Sequence, residues 1–136
     1  MKIVVCSEKG RSFELQHPKG WQSEKIKIDG GLISGNETEK CDYAITIINN
    51  SDKNYLFFIE LKGHDLMKAI SQLESTINQL ITTHFSNFPD RQAHAVCSRI
   101  IPNVTTSAQV AAVRFKKKYG FLLKWHSQKG IVSIKG

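Results

Sequence analysis

The fold of this chain is decided between residues 41 and 80, which read CDYAITIINNSDKNYLFFIELKGHDLMKAISQLESTINQL. Segments 43–48 and 55–61 are rich in Ile, Tyr and Phe, and polar turn-forming residues separate them. Such a pattern is typical of two strands joined by a polar turn. It predicts a β-hairpin at the centre of the structure.

A long amphipathic helix is predicted directly after the hairpin. Gly63 ends the second strand, Asp65 can cap the helix, and apolar residues then recur at steps of four and three: Leu66, Ile70, Leu73, Ile77 and Leu80. A further strand is predicted at residues 93–101, where Pro102 stops it. A strand, a helix and a strand in succession predict a crossover and a parallel strand pair.

Three charged side chains are predicted to meet at one end of the hairpin. Glu60 and Lys62 are two positions apart on a strand and therefore point to the same face. If Asn49 lies opposite Tyr55, Asp42 lies opposite Lys62 and diagonal to Glu60, on that same face. A slip of one residue would turn Asp42 away.

Two carboxylates that share a cation suit Mg²⁺, a hard ion that prefers oxygen ligands and keeps several waters. A neighbouring lysine can stabilise charge on a phosphate, or position an attacking water and help to deprotonate it. The alternative is a surface hairpin whose acids and lysine form solvated ion pairs, as most charged residues do. Against it, two facing acids at the ends of apolar strands would repel each other without a cation.

The motifs in this order resemble the PD-(D/E)xK nuclease superfamily. The resemblance rests on Cys41-Asp42-Tyr43, Glu60-Leu61-Lys62-Gly63 and Ala69-Ile70-Ser71-Gln72-Leu73. It implies a restriction-endonuclease-like α/β fold, with a central mixed β-sheet flanked by helices. It also implies that Asp42, Glu60 and the Leu61 carbonyl hold Mg²⁺, for which Mn²⁺ may substitute. Lys62 would be the catalytic cation and Gln72 an accessory active-site contact.

The chain departs from the family pattern in two places. Residue 41 is Cys where the family has Pro, and no clean helix precedes Asp42, although the family usually opens with a helix that often supplies another acid. Glu37 and Glu39 lie close before Asp42, and nothing in the sequence selects either.

Length and composition predict one domain over residues 1–136, since the chain is 40% hydrophobic and too short for two cores. Nineteen Lys and Arg against 12 Asp and Glu give a formal charge of +7, which favours a polyanionic partner. Together with the predicted site, this charge favours nucleic acid as the partner. DNA is expected in preference to RNA. A homodimer or partner protein is expected to extend the small recognition surface.

Six basic residues are expected to contact nucleic acid: Arg99, Arg114, Lys116, Lys117, Lys118 and Lys124. Arg114 and Lys116 to Lys118 lie at the C-terminal end of the second helix, where their alternative role is to complement the helix dipole. Arg99 has an equally simple alternative, an ion pair with an acid.

Cysteine and histidine usage indicates no further site. Cys6, Cys41 and Cys97 form no CxxC pair, so neither disulfides nor zinc are predicted, and a reduced cytoplasmic location is expected. The five histidines lack metal-binding spacing and are interpreted as mostly surface residues. Neither a signal peptide nor an apolar run of about 18 residues is present, so no membrane association is expected.

The remaining segments are predicted to complete the sheet layers. Short strands at 2–6 and 12–15 and an alternating segment at 25–29 predict a β-rich N-terminal addition, and glycine-rich residues 30–35 a turn leading to Asp42. Trp21 either stacks on a nucleic-acid base or covers the core. A second helix is predicted from Ser107 to Lys118, capped by Thr105 or Thr106, with Val110 and Val113 inward and Ala111 and Phe115 as further candidates for the inward face. Segments 121–125 and 131–134 are predicted to form a closing hairpin.

The sequence therefore predicts Mg²⁺-dependent hydrolysis of nucleic-acid phosphodiester bonds. One rival is a catalytically inactive module of the same fold that acts as a subunit or as an inhibitor of a nucleic-acid enzyme. A second rival is an interaction domain that binds no nucleic acid.

Overall fold

A computed structural model of the chain describes residues 1–32, 39–49 and 53–135. Within these ranges the elements are β1 (Lys2–Glu8), β2 (Arg11–His17), β3 (Gln22–Lys27), β4 (Tyr43–Ile48), β5 (Asn54–Lys62), α1 (Leu66–Leu80), β6 (Asp90–Cys97), α2 (Thr105–Tyr119), β7 (Phe121–Ser127) and β8 (Lys129–Ser133). Residues 33–35 of the predicted glycine-rich turn, together with Glu37, lie outside the described residues, as do residues 50–52 of the hairpin turn. None of the described helices is long and apolar enough to span a membrane.

The strands form two mixed sheets. In the five-stranded sheet the order is β3-β4-β5-β6-β7. There β4 is antiparallel to both of its neighbours, and β5, β6 and β7 are mutually parallel. The three-stranded sheet has the order β1-β2-β8, with β2 antiparallel to β1 and parallel to β8. The predicted mixed α/β architecture and the crossover through α1 are confirmed.

The predicted closing hairpin is wrong, because β7 and β8 belong to different sheets. Gln128 between them has a φ of 67°. Its N–H donates to the Cys97 carbonyl at 2.6 Å, and its own carbonyl accepts from the Ser12 N–H at 3.1 Å. These two bonds turn the chain out of one sheet and into the other.

The five-stranded sheet is covered on both faces. On one face, Ala44, Leu56 and Phe58 pack with the buried side chains of α1 and α2. On the other face, Ile45 and Phe57 pack with residues of the three-stranded sheet, such as Phe13, Leu15 and Cys6. Because successive strand residues point to opposite faces, β4 and β5 contribute to both cores.

Helix α1 matches its prediction. The Asp65 carboxylate accepts from the Lys68 N–H at 2.9 Å, which caps the helix. All five residues of the predicted apolar stripe are buried. The polar side of α1 is therefore left to contact the segment that precedes β4.

Helix α2 buries only part of its predicted inward set. Ala111 and Phe115 are buried, together with Ala108, whereas Val110 and Val113 are 61% and 55% exposed. Neither predicted threonine caps the helix, because a 3₁₀ turn at Pro102–Val104 leads directly into it. Small alanines bring α2 close to the sheet and to α1, while the valines face outward.

Two of the five histidines are buried, which corrects the expectation that they lie mostly on the surface. His94 lies between the sheets, where its Nδ1 is 2.9 Å from His126 Nε2 and its Nε2 is 2.8 Å from Gln92 Oε1. Burial, together with the charges of nearby His126 and Lys124, lowers the pKa of His94 to about 3. His94 is therefore neutral and part of the core.

Two further segments differ in detail from the sequence predictions. Strand β6 runs from Asp90 to Cys97 rather than over 93–101. Trp21 stacks on Tyr55 with ring centroids 5.8 Å apart, and it packs against the core between the sheets. This contact favours the core-covering interpretation of Trp21.

Candidate active site

The register of β4 and β5 sets Asp42 beside Glu60. Tyr55 pairs with Ile47 rather than with Asn49, so the predicted register is wrong by two residues. Extending the observed register by one pair puts Asp42 opposite Glu60 instead of Lys62. A shift of two residues keeps every side chain on its face, so the predicted grouping survives the error.

Asp42 is tied to β5 through both its backbone and its side chain. Its N–H donates to the Ile59 carbonyl at 3.1 Å, and its Oδ2 accepts from the Leu61 N–H at 2.9 Å. Its own carbonyl accepts from the Ile28 N–H at 2.9 Å. The Asp42 carboxylate is thereby held at the end of β5, within one residue of Glu60.

Glu60 is a buried acid with an unused oxygen. The residue is 2% exposed, and its Oε1 has no hydrogen-bond partner among the described residues. Burial, together with the negative charge of Asp42 and against the opposing charge of Lys62, raises the pKa of Glu60 to about 9. Burial also raises the pKa of Asp42, against the Leu61 N–H, which lowers it. Two neighbouring carboxyl groups repel each other when both are ionised, and a cation bound between them offsets this repulsion.

Lys62 belongs to the same end of the sheet. It is the last residue of β5 and pairs with Cys97, the last residue of β6. Its positive charge lowers the pKa of both Asp42 and Glu60. The structure thus brings together the three charged groups that the sequence singled out, with the Leu61 backbone between two of them.

The polar side of α1 holds the segment that leads into Asp42. The Cys41 N–H donates to Thr76 Oγ1 at 2.7 Å, and the Thr76 hydroxyl donates to the Gln72 carbonyl at 2.8 Å. Ser75 Oγ donates to the Glu39 carbonyl at 2.8 Å. Thr76 is fully buried. Its role as the acceptor for the Cys41 N–H was not predicted, because the residue pattern places Thr76 only beside the apolar stripe of the helix.

Gln72 lies at this same contact. Its Nε2 donates to the Lys40 carbonyl at 3.3 Å, while its Oε1 is buried and has no hydrogen-bond partner. The predicted accessory residue therefore reaches the segment next to Asp42. Glu39 is used differently, because its carboxylate accepts from Ser71 Oγ at 2.6 Å and pairs with Lys68 at 3.9 Å.

Two acids that were not predicted lie near Asp42. A cleft of about 290 Å³ is lined by Glu8, Lys27, Asp29, Asp42 and Tyr43. The charges of Glu8 and Asp29 raise the pKa of Asp42. Glu8 comes from the N-terminal sheet, so its proximity depends on how the two sheets pack.

The residues predicted to bind nucleic acid are divided between the two ends of the sheet. Arg99 is exposed and follows β6 by two residues, at the end where Lys62 lies. Helix α2 runs back to the opposite end, where Phe121 of β7 pairs with Arg91 near the start of β6. Exposed Lys116, Lys117 and Lys118 are therefore far from the carboxylates.

The other two predicted contacts also lie away from the carboxylates. Arg114 binds Glu74 through two hydrogen bonds of 2.9 and 3.0 Å, and the Tyr119 hydroxyl donates to the same carboxylate at 2.9 Å. Lys124 is exposed in the middle of β7 and pairs in register with His94.

The donor set at the hairpin end is made of oxygens. In the part of the chain that the structure describes, no group of three or more His, Cys, Asp and Glu side chains is arranged to hold a metal. Mg²⁺ does not require such a group, since one or two carboxylates with waters and substrate oxygens suffice. The unpartnered oxygen of Glu60 beside Asp42 fits this requirement.

Comparisons with protein-family models, with curated proteins and with solved structures found no match. What the site can do is therefore inferred from Asp42, Glu60, Lys62 and Gln72 themselves.

Proposed function

We propose that this chain is a Mg²⁺-dependent nuclease that hydrolyses phosphodiester bonds of nucleic acid, DNA in preference to RNA. The observation that carries the proposal is the buried Glu60 carboxyl, which lacks a partner for one oxygen and lies beside Asp42 and Lys62. A merely structural acid in this position would be expected to have a hydrogen-bond partner.

We also infer a restriction-endonuclease-like fold. It is supported by the succession of the β4–β5 hairpin, α1 and the parallel strand β6, with the acids and lysine at the strand end. In the described part of the chain, strands β1 to β3 precede Asp42 where that fold usually has a helix. Glu8 and Asp29 supply nearby acids from these strands and the turn after them.

Asp42, Glu60 and the Leu61 carbonyl are the groups that would hold the ion. When bound, Mg²⁺ polarises phosphoryl oxygens and lowers the pKa of a water molecule. The protein positions the two carboxylates by the Leu61 N–H bond to Asp42 and by the burial of Glu60.

Lys62 and Gln72 supply the remaining chemistry. The Lys62 ammonium stabilises negative charge that develops on the phosphate, or it orients the attacking water and by its positive charge favours loss of the water's proton to solvent. Gln72 Oε1 is buried and has no hydrogen-bond partner among the described residues, so it would accept a hydrogen bond from a water or a substrate group that reached it. Glu60 and Lys62 share the face of β5 that carries Phe58 and is covered by α1, so Lys62 and Gln72 lie on the same side of the sheet.

The proposal is tested by a cleavage assay on supercoiled plasmid, single-stranded DNA and RNA, with Mg²⁺, Mn²⁺ or EDTA. We expect cutting with either metal and none in EDTA, and Asp42→Asn purified in parallel controls for contaminating nucleases. Salt-sensitive binding without metal-dependent cutting would overturn the nuclease and favour the inactive binding module. Absence of salt-sensitive binding as well would favour an interaction domain.

Replacing Thr76 by Val is predicted to lower both the stability of the fold and the affinity for the metal ion, although Thr76 does not itself hold the ion. The buried Cys41 N–H would lose its acceptor, at a cost of about 1–3 kcal/mol in the free energy of unfolding. Asp42 would be held less well, so the affinity for Mn²⁺ should fall by roughly tenfold. Chemical denaturation and Mn²⁺ titration measure the two effects.

The matched control is Thr76→Ser, which keeps the hydroxyl and should retain the affinity for Mn²⁺. A Val variant that loses stability but binds Mn²⁺ as tightly as the parent would show that Thr76 supports only the fold.

A further inference from the structure

The turn between β1 and β2 lies at the same end of the sheets as the carboxylates. Lys9 and Gly10 have φ values of 49° and 83°, and they connect Glu8 to Arg11, which pair in register. Arg11 Nη1 donates to Ser98 Oγ at 3.1 Å. The Ser98 N–H in turn donates at 2.7 Å to the carbonyl of Gly63, the residue after Lys62. The Arg11 guanidinium is therefore held at the ends of β5 and β6.

The Arg11 guanidinium has more N–H donors than it uses in its contacts with the described residues. A guanidinium carries five N–H donors, and Arg11 uses Nη1 for Ser98 and for a longer contact of 3.4 Å to the Lys9 carbonyl. Its Nε is buried and has no hydrogen-bond partner among the described residues. None of the ion pairs among the described residues includes Arg11, although Glu8 is its register partner.

An arginine with a fixed side chain and unused donors is suited to an oxyanion. A phosphate can accept two parallel hydrogen bonds from a guanidinium, and none of the ion pairs among the described residues occupies the donors of Arg11. The exposed Lys9 at the tip of the turn adds a second positive charge. Near the carboxylates, such positive groups would also offset the repulsion between the acids and a polyanionic strand.

We propose that Arg11 binds a phosphate of the substrate strand adjacent to the bond that is cut, so that the β1–β2 turn is a phosphate-binding element of the site. This inference rests on the proposed nuclease function and adds a binding residue to it. It moves the main backbone contact from the Lys116–Lys118 cluster, at the opposite end of the sheet, to the end that carries the acids.

The test measures binding of fluorescently labelled single-stranded and duplex DNA by anisotropy, in EDTA and at several salt concentrations. Arg11→Gln should raise Kd about tenfold and reduce the slope of log Kd against log salt by about one. Arg11→Lys should keep the slope, since it keeps the charge. Lys53→Gln, which removes an exposed charge just before the start of β5, at the end away from the acids, should change Kd less than about twofold.

A second variant distinguishes phosphate binding by Arg11 from a purely structural role of Arg11 in the β1–β2 turn. Ser98→Ala removes the acceptor for Arg11 Nη1 and keeps the positive charge of Arg11. If Arg11 only anchors the turn, Ser98→Ala should weaken DNA binding as much as Arg11→Gln does. We expect Ser98→Ala to lose less affinity than Arg11→Gln and to keep the salt slope of the parent, because the charge that meets the phosphate remains.

The outcomes distinguish this inference from the nuclease proposal. Binding that depends on Arg11 without metal-dependent cutting would overturn the nuclease and support the phosphate site. Metal-dependent cutting with an unchanged Kd and slope for Arg11→Gln would overturn the phosphate site alone. Equal losses for Arg11→Gln and Ser98→Ala, or no DNA binding by the parent protein, would also overturn it.

Discussion

Replacing Lys62 by Met is expected to lower kcat for DNA cleavage by about 10³-fold at saturating Mg²⁺. Met keeps much of the apolar stem of the half-buried lysine, so the fold should persist. The loss follows because Lys62 shares a face of β5 with Glu60, and its positive charge opposes the rise in the pKa of both Asp42 and Glu60. Single-turnover cleavage measures the effect.

The control for this variant is Lys68→Met. Lys68 is exposed on α1 and pairs with Glu39, so its loss removes one positive charge near the site without touching the acids. It should cut within a factor of about three of the parent, because an exposed pair contributes little. If Lys62→Met and Lys68→Met cut equally well, Lys62 has no catalytic role.

Glu60→Gln is expected to abolish metal-dependent cutting and to stabilise the metal-free protein at alkaline pH. The pKa of Glu60 is raised from 4.5 to about 9 in the folded chain, so folding binds a proton between these values. Stability from this group is complete below the unfolded pKa and is lost as pH rises through the folded pKa. Glutamine mimics the protonated acid at every pH.

At pH 8 in EDTA, the Gln variant should therefore unfold with a free energy roughly 2–4 kcal/mol higher than the parent, and near pH 4 the two should match. Urea denaturation at both values measures this difference. Mg²⁺ should stabilise the parent at pH 8 and leave the variant unchanged. A variant that is less stable than the parent at pH 8 would contradict the assignment of Glu60 as a strained, buried acid.

Residue patterns were sufficient to predict the elements that build the site. The stripe from Leu66 to Leu80 predicted α1, and the apolar segment ending in Glu60 and Lys62 predicted the strand that carries the acids. The register was wrong because the polar run after β4 does not fix the length of the turn. In the structure, Asn49 Oδ1 accepts from the Lys53 N–H, which sets where β5 begins.

Contacts between distant segments could not be predicted in this way. Strand β8 pairs with β2 from the other end of the chain, and that pairing depends on the packing of two sheets. The same packing brings Glu8 and Arg11 to the end of β5. For helix α2, the prediction was right for Ala111 and Phe115 and wrong for Val110 and Val113, because apolar residues recur at helical spacing on more than one side of this helix.

The most direct test of a shared cation at Asp42 and Glu60 is a calorimetric titration with Mn²⁺ at pH 7.5, in buffers of different ionisation enthalpy. Because the pKa of Glu60 is about 9, its proton must leave when the metal binds, and we predict release of close to one proton. Asp42→Asn should lose most of the affinity. Failure to bind Mn²⁺, or binding that Asp42→Asn leaves unchanged, would contradict the account.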